Sequence, residues 1–244
     1  MRAREQLSQG RAPRRAEPLH RSHIIDAAIA ASDDGRLHEV SMRGLAEELQ
    51  VTPMALYAHV ADKDEILDEV LDHVLRTTGL PSGRLRWSRW MIDFAEQLHD
   101  LLCAQPTLLS RYLRRPVGVQ AALDRMEAAL DVLSRAGFSD VEAVEIYASV
   151  HACTLGFTSL EVARRESAAA LVGATISLRP AGRLYWPAVF STLDPMLFPN
   201  LSRIRPDLES FSSPDRFKHV IADLLIGHKP PAGAATRSKK AKLP

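Results

Sequence analysis

A threonine followed directly by a proline, as at Thr52-Pro53, reads as the start of a helix. The threonine hydroxyl accepts from a backbone N–H one turn on, and proline fits the first helical position, where its missing N–H is not needed. Just upstream, Met42, Leu45, Ala46 and Leu49 fall on one face of a second short helix. Only a tight turn fits between the two. Ala46 is small where the helices must approach, and Val51 is an apolar plug for the gap. Leu56 and Val60 continue the inward face. Two short helices at this spacing make a helix-turn-helix over residues 41–59. Its second helix would enter a major groove by its N-terminal end, where base pairs are distinguishable. Pro53, Met54, Ala55 and Tyr57 point outward there.

The remainder is helical by period. Ile25, Ala28 and Ile29 define a helix over about 19–33, ended by Asp33-Asp34-Gly35. Asp62, with Glu65 three residues later, opens a helix over 63–78 whose stripe is Ile66, Leu67, Val70, Leu71, Val74 and Leu75. Leu80-Pro81-Ser82-Gly83 breaks it and marks a domain boundary. Further helices are expected near 86–104, 107–113, 118–136, 139–165 and 214–227. Prolines at 180, 187, 195, 199 and 206 interrupt any long helix between 168 and 213. No sustained alternation of period two is present, so the fold class is all-α. The expected organisation is a basic arm (1–18), a three-helix DNA-binding domain with its connecting helix (19–79), a larger helical domain (84–228) and a basic tail (229–244).

Charge supports this division. The net formal charge is only +1, but Arg2, Arg4, Arg11, Arg14, Arg15 and Arg21 crowd one end and Arg237, Lys239, Lys240 and Lys242 the other. Both ends are poor in apolar residues and are expected to be disordered. The N-terminal arm has two readings: a strand-tracking arm on DNA, or a solvated tail. Cys103 and Cys153 lie in apolar helical stretches without metal-type partners, so neither a disulfide framework nor a zinc site is expected, and a reducing cytoplasm suits them. No run is long enough to span a membrane, and no secretory signal is expected.

The run Arg43-x-Leu45-Ala46-x-x-Leu49-x-Val51, then Ala55-Leu56-Tyr57-x-His59-Val60-x-x-Lys63, resembles the DNA-binding domain of the tetracycline repressor family. The resemblance implies that Arg43 reaches a base from the preceding helix. It implies that Pro53, Met54 and Ala55 lie against bases, and that Thr52, Tyr57, His59 and Lys63 hold phosphates. Gln50 stands where the family often has glycine. If that residue is left-handed, it costs on the order of 1 kcal/mol.

Residues 126–156 resemble the regulatory domain of the family's tetracycline-sensing type, as does the last helix at 217–227. Pairing of the 139–165 helix and the last helix across a two-fold axis follows by resemblance. Ser149, Ala152, Gly156 and Ser159 form a small-residue stripe that permits close approach, and Phe217, Ile221 and Leu224 would join them. Ordinary intramolecular packing is the alternative. The drug–magnesium site of that type is not matched: Gly79, Phe94 and Tyr112 stand at key positions, and Glu161 is about one residue out of register. No metal and no cofactor are expected. Trp90, Phe94, Leu98, Tyr112, Tyr147, His151 and Phe157 instead suggest a bulky pocket for a hydrophobic or aromatic effector. Many of these aromatics serve equally well as plain core. Arg111, Arg114 or Arg115 could meet a carboxylate, though each also suits a surface.

Two function classes follow. The first is a homodimeric regulator released from a palindromic operator in double-stranded DNA by a small molecule. Activator and architectural roles share the same sequence features. The second, an all-helical enzyme, lacks any HExxH, GxSxG, phosphate loop or dinucleotide fingerprint.

Overall fold

The computed structural model describes residues 18–116, 118–173, 194–208 and 214–230, and every regular element among them is helical. The order is α1 (Arg21–Asp33), a 3-10 turn (Leu37–Glu39), α2 (Met42–Glu48), α3 (Pro53–Tyr57), α4 (Lys63–Thr77), α5 (Trp87–Ala104), α6 (Pro106–Arg114), α7 (Gln120–Ala136), α8 (Asp140–Gly173), α9 (Pro199–Leu208) and α10 (Pro214–Ile226). The all-α expectation holds. Nearly all of the two basic tails, and much of the stretch after 173, lie outside the described residues.

Helix ends follow the local chemistry. Asp62 accepts from Glu65 N at 2.9 Å, and Glu65 reaches back to Ala61 N at 2.6 Å, one residue further out than a standard capping box. Gly35 (φ 72°) closes α1: its N–H meets Ser32 O, and Arg36 N meets Ala31 O. Helix α8 continues past 165 to Gly173, because Ala168, Ala169 and Ala170 are strong helix formers and no proline intervenes. Helix α9 falls in the proline-rich stretch and begins on Pro199, the position where proline is tolerated.

Helix α4 is the hub. Its stripe Ile66, Leu67, Val70, Leu71 and Leu75 is buried against Ile24, Ala28 and Ala31 of α1. The same apolar cluster runs on through Leu98 and Leu102 of α5, Leu108 and Tyr112 of α6 and Ala121 and Ala122 of α7. Leu80–Gly83 therefore separates two helices without separating two cores. A second cluster joins Trp90 and Phe94 of α5, Ala129 and Leu133 of α7, Ile146, Tyr147 and Val150 of α8, and Phe217, Ile221 and Leu225 of α10.

Polar ties hold α4 on both sides. Arg21 bonds Glu65 at 2.7 Å and Glu69 at 2.8 Å, so it is part of the α1–α4 contact and not of the basic arm. Arg111 of α6 is buried and makes two bonds to Asp68 and one, at 2.7 Å, to Asp64. That corrects its candidacy as a carboxylate receptor: both faces of its fork are already used.

Candidate DNA-binding and effector sites

The helix-turn-helix forms as its sequence dictates. Ser41 Oγ accepts from Gly44 N at 3.1 Å to start α2, and Thr52 Oγ1 accepts from Ala55 N at 3.3 Å to start α3, with Pro53 at the first position. Leu45, Ala46, Leu56 and Val60 are buried, and Met42, Leu49 and Val51 pack half-buried against them. Helix α2 ends in a Schellman turn: Val51 N donates to Ala46 O at 2.9 Å and Gln50 N to Glu47 O at 3.2 Å. Gln50 occupies the left-handed position with φ 56°, the one non-glycine residue among those described to do so.

The outward face of α3 is apolar and open. Met54 is 77% exposed and Tyr57 50%, and Pro53 and Thr52 are exposed beside them. Ala55, His59 and Lys63 are half-buried along the same margin. Exposed large apolar residues on a five-residue helix give the fold nothing; they suit a surface waiting for a partner. Arg43 lies fully in solvent and bonds Glu47 at 2.9 Å, which raises its already high pKa. So exposed a pair contributes little, and the guanidinium is released at small cost.

The aromatic residues of the larger domain divide. Trp90 stacks on Phe94 (centroids 5.1 Å apart), Phe94 approaches Tyr147 at 6.5 Å, and His151 lies 5.4 Å from Tyr147 and 5.6 Å from Tyr112. Tyr147 Oη and His151 Nδ1 are 3.4 Å apart. Burial holds the His151 pKa below the ordinary value and pushes both tyrosines up. Phe157 is elsewhere, against Phe217 at 5.6 Å, and Leu98 belongs to the α4 cluster. Arg114 and Arg115 are exposed.

The residue absent from the sequence expectations is Arg125. It lies among these rings, its guanidinium carbon 5.0 Å from the Phe94 centroid, and its Nη1 donates to Gly79 O just beyond α4. Burial lowers its pKa. A signal was present: Ala121, Ala122, Arg125, Ala129 and Leu133 share one face of α7, so the arginine sits where a core residue belongs.

On α8, Ser149, Ala152 and Gly156 are exposed and Ser159 half-exposed. Val141, Val144 and Leu160 extend that face with exposed apolar side chains. Phe217 and Ile221 do not join it. They are buried in their own protomer's core, because α10 turns its apolar stripe inward on α5 and α8, and Leu224 packs half-buried at the edge. Glu161 pairs with Arg165 at 2.9 Å. Among the described residues no cluster of His, Cys, Asp or Glu is grouped as a metal site. No helix among them is long and apolar enough to cross a membrane.

Together these elements define a helix-turn-helix protein carrying a second, larger helical domain. Residues 80–227 match the family model described as "Tetracyclin repressor-like, C-terminal domain". The chain belongs to the tetracycline repressor family. An HTH-type transcriptional regulator of Saccharopolyspora erythraea is 33% identical over 150 residues, 60% of this chain; the chain spans 63% of that relative's length. The TetR family protein ActR of Streptomyces coelicolor, in complex with actinorhodin, aligns with TM-score 0.68 and 26% identity over 86% of this chain and 95% of that one. BioQ with its double-stranded DNA operator aligns with TM-score 0.52 and 31% identity over 63% of this chain and 94% of that one.

Proposed function

We propose that this protein is a homodimeric transcriptional repressor that leaves a palindromic operator when a small aromatic molecule binds its larger domain. It acts in the cytoplasm and performs no catalysis. The observation that carries the reading is α3. It is a capped helix whose Pro53, Met54 and Tyr57 are open to solvent and flanked by Thr52, His59, Lys63 and Arg43. Apolar groups there suit thymine methyls, the flanking groups suit phosphates, and Arg43 suits guanine. The operator-bound BioQ and the ligand-bound ActR support the two halves of the reading. The exposed small-residue face of α8 suits a two-fold partner, which would set two recognition helices about one DNA turn apart.

Selection of bound duplexes from random DNA tests this. A palindrome is expected, and enrichment of no sequence would overturn the reading. On the selected site, Arg43→Ala should lose about 1–3 kcal/mol and relax preference at one base pair per half-site. Lys63→Ala should weaken every sequence alike and reduce the salt slope.

A further inference from the structure

Arg125 is 6% exposed, and among the described residues no carboxylate pairs with it. Its Nη1 is satisfied by Gly79 O, a neutral backbone carbonyl just beyond the C-terminal end of α4. Its Nη2 is buried with no hydrogen-bond partner. Arginine cannot discharge itself by losing a proton as a buried lysine does. A buried guanidinium with one nitrogen, and so two N–H donors, idle and only a neutral carbonyl as partner is therefore a site short of an anion.

We propose that Arg125 anchors an anionic aromatic effector, a planar ring system bearing a carboxylate. This deepens the effector-responsive reading and rests on it. The guanidinium fork matches a carboxylate in geometry. The Phe94 ring lies under the guanidinium, and the Tyr147, His151 and Tyr112 rings follow behind Phe94 as the aromatic wall of the core, outside the lining of the cleft itself. A cleft of about 270 Å³ between the end of α4 and α7, walled by Leu75, Gly79, Leu80 and Ala121, leads to Arg125. That is slightly below the ~300 Å³ at which small-molecule sites usually begin. The charges at its mouth are occupied: Asp124 accepts from Gln120 at 2.8 Å, and Arg76 bonds Asp72 at 2.7 Å. An incoming carboxylate meets the idle Nη2, next to the bond that Nη1 makes to Gly79 O. Binding there bears on the C-terminal end of α4, whose opposite end carries Lys63, and the effector favours whichever arrangement of that helix lets it bond Arg125 more strongly.

The test uses the full chain and three probe pairs: benzoate, 1-naphthoate and anthracene-9-carboxylate, each with its neutral carboxamide. Affinity is read by calorimetry and quenching of tryptophan fluorescence. At least one acid should bind the wild type tenfold or more tightly than its amide. Arg125→Met should remove that preference while still binding the amide, and Arg125→Lys should retain part of it. Amides that match their acids on the wild type, acids that all fail to bind, or a preference that survives Arg125→Met would each overturn the proposal. The comparison on wild type stands even if a variant fails to fold. Operator selection is run without probe, so failure of the anions alone sinks this assignment and leaves the regulator reading intact.

Discussion

Gln50 shows how a single backbone angle is settled by its surroundings. The Schellman turn after α2 needs a left-handed residue, and the chain supplies one with a Cβ. Gln50→Gly should raise stability by about 0.5–1 kcal/mol, read as a higher urea midpoint with an unchanged slope; a lower midpoint would mean that the glutamine side chain contributes more than the strain removes. His151 carries a second expectation at this scale. Its folded pKa is depressed by burial, so the unfolded chain takes up the proton first. Stability is full above the ordinary histidine range and falls as pH drops below about 6.5, at no more than about 1.4 kcal/mol per pH unit for this group. His151→Phe should reduce the fall in melting temperature between pH 7.5 and 5.5, and the remainder belongs to His99, whose pKa burial also holds down. The carboxylates Glu65 and Asp72, with depressed values, act at lower pH. Sequence legibility was uneven here. The Gln50 conformation was readable from its neighbours in the turn. Arg125 carries two opposed signals: its helical period places it on the inner face of α7, whereas its charge belongs as a rule at the surface.

At the scale of elements, α4 was legible in outline and its fastenings were not. Its cap and stripe are local patterns, whereas the Arg111 bonds to Asp64 and Asp68 join residues more than forty positions apart, beyond any periodic signal. The same limit explains α10. Its apolar spacing was plain, but the direction that spacing faces depends on where α5 and α8 lie, and Phe217 and Ile221 turned inward. Asp68→Asn should cost about 2–3 kcal/mol in denaturant unfolding, since Arg111 stays buried and keeps only half-exposed Asp64 as a charge partner. Arg111→Met should cost less, because it removes the buried charge itself. Equal costs would show that the pair acts through packing alone.

For the whole molecule, the exposed face of α8 is the feature that a single copy leaves without employment. A Cβ added at Gly156 meets no atom within 4 Å, so a larger side chain there spares the protomer fold. Gly156→Arg should give a monomer by sedimentation at micromolar concentration, with helical content unchanged and palindrome binding lost; a persistent dimer would place the interface elsewhere. The continuous apolar cluster from α1 through α4 into α7 has a further bearing. Two units that share one interior cannot melt separately, so heat should remove them in one cooperative step. On the function proposed above, whatever DNA would lend to the first half in resistance to unfolding would be felt in the second, and an effector held in the second would stiffen or slacken the first. Each proposed site would then weigh on the other by the same amount, through the shared interior itself.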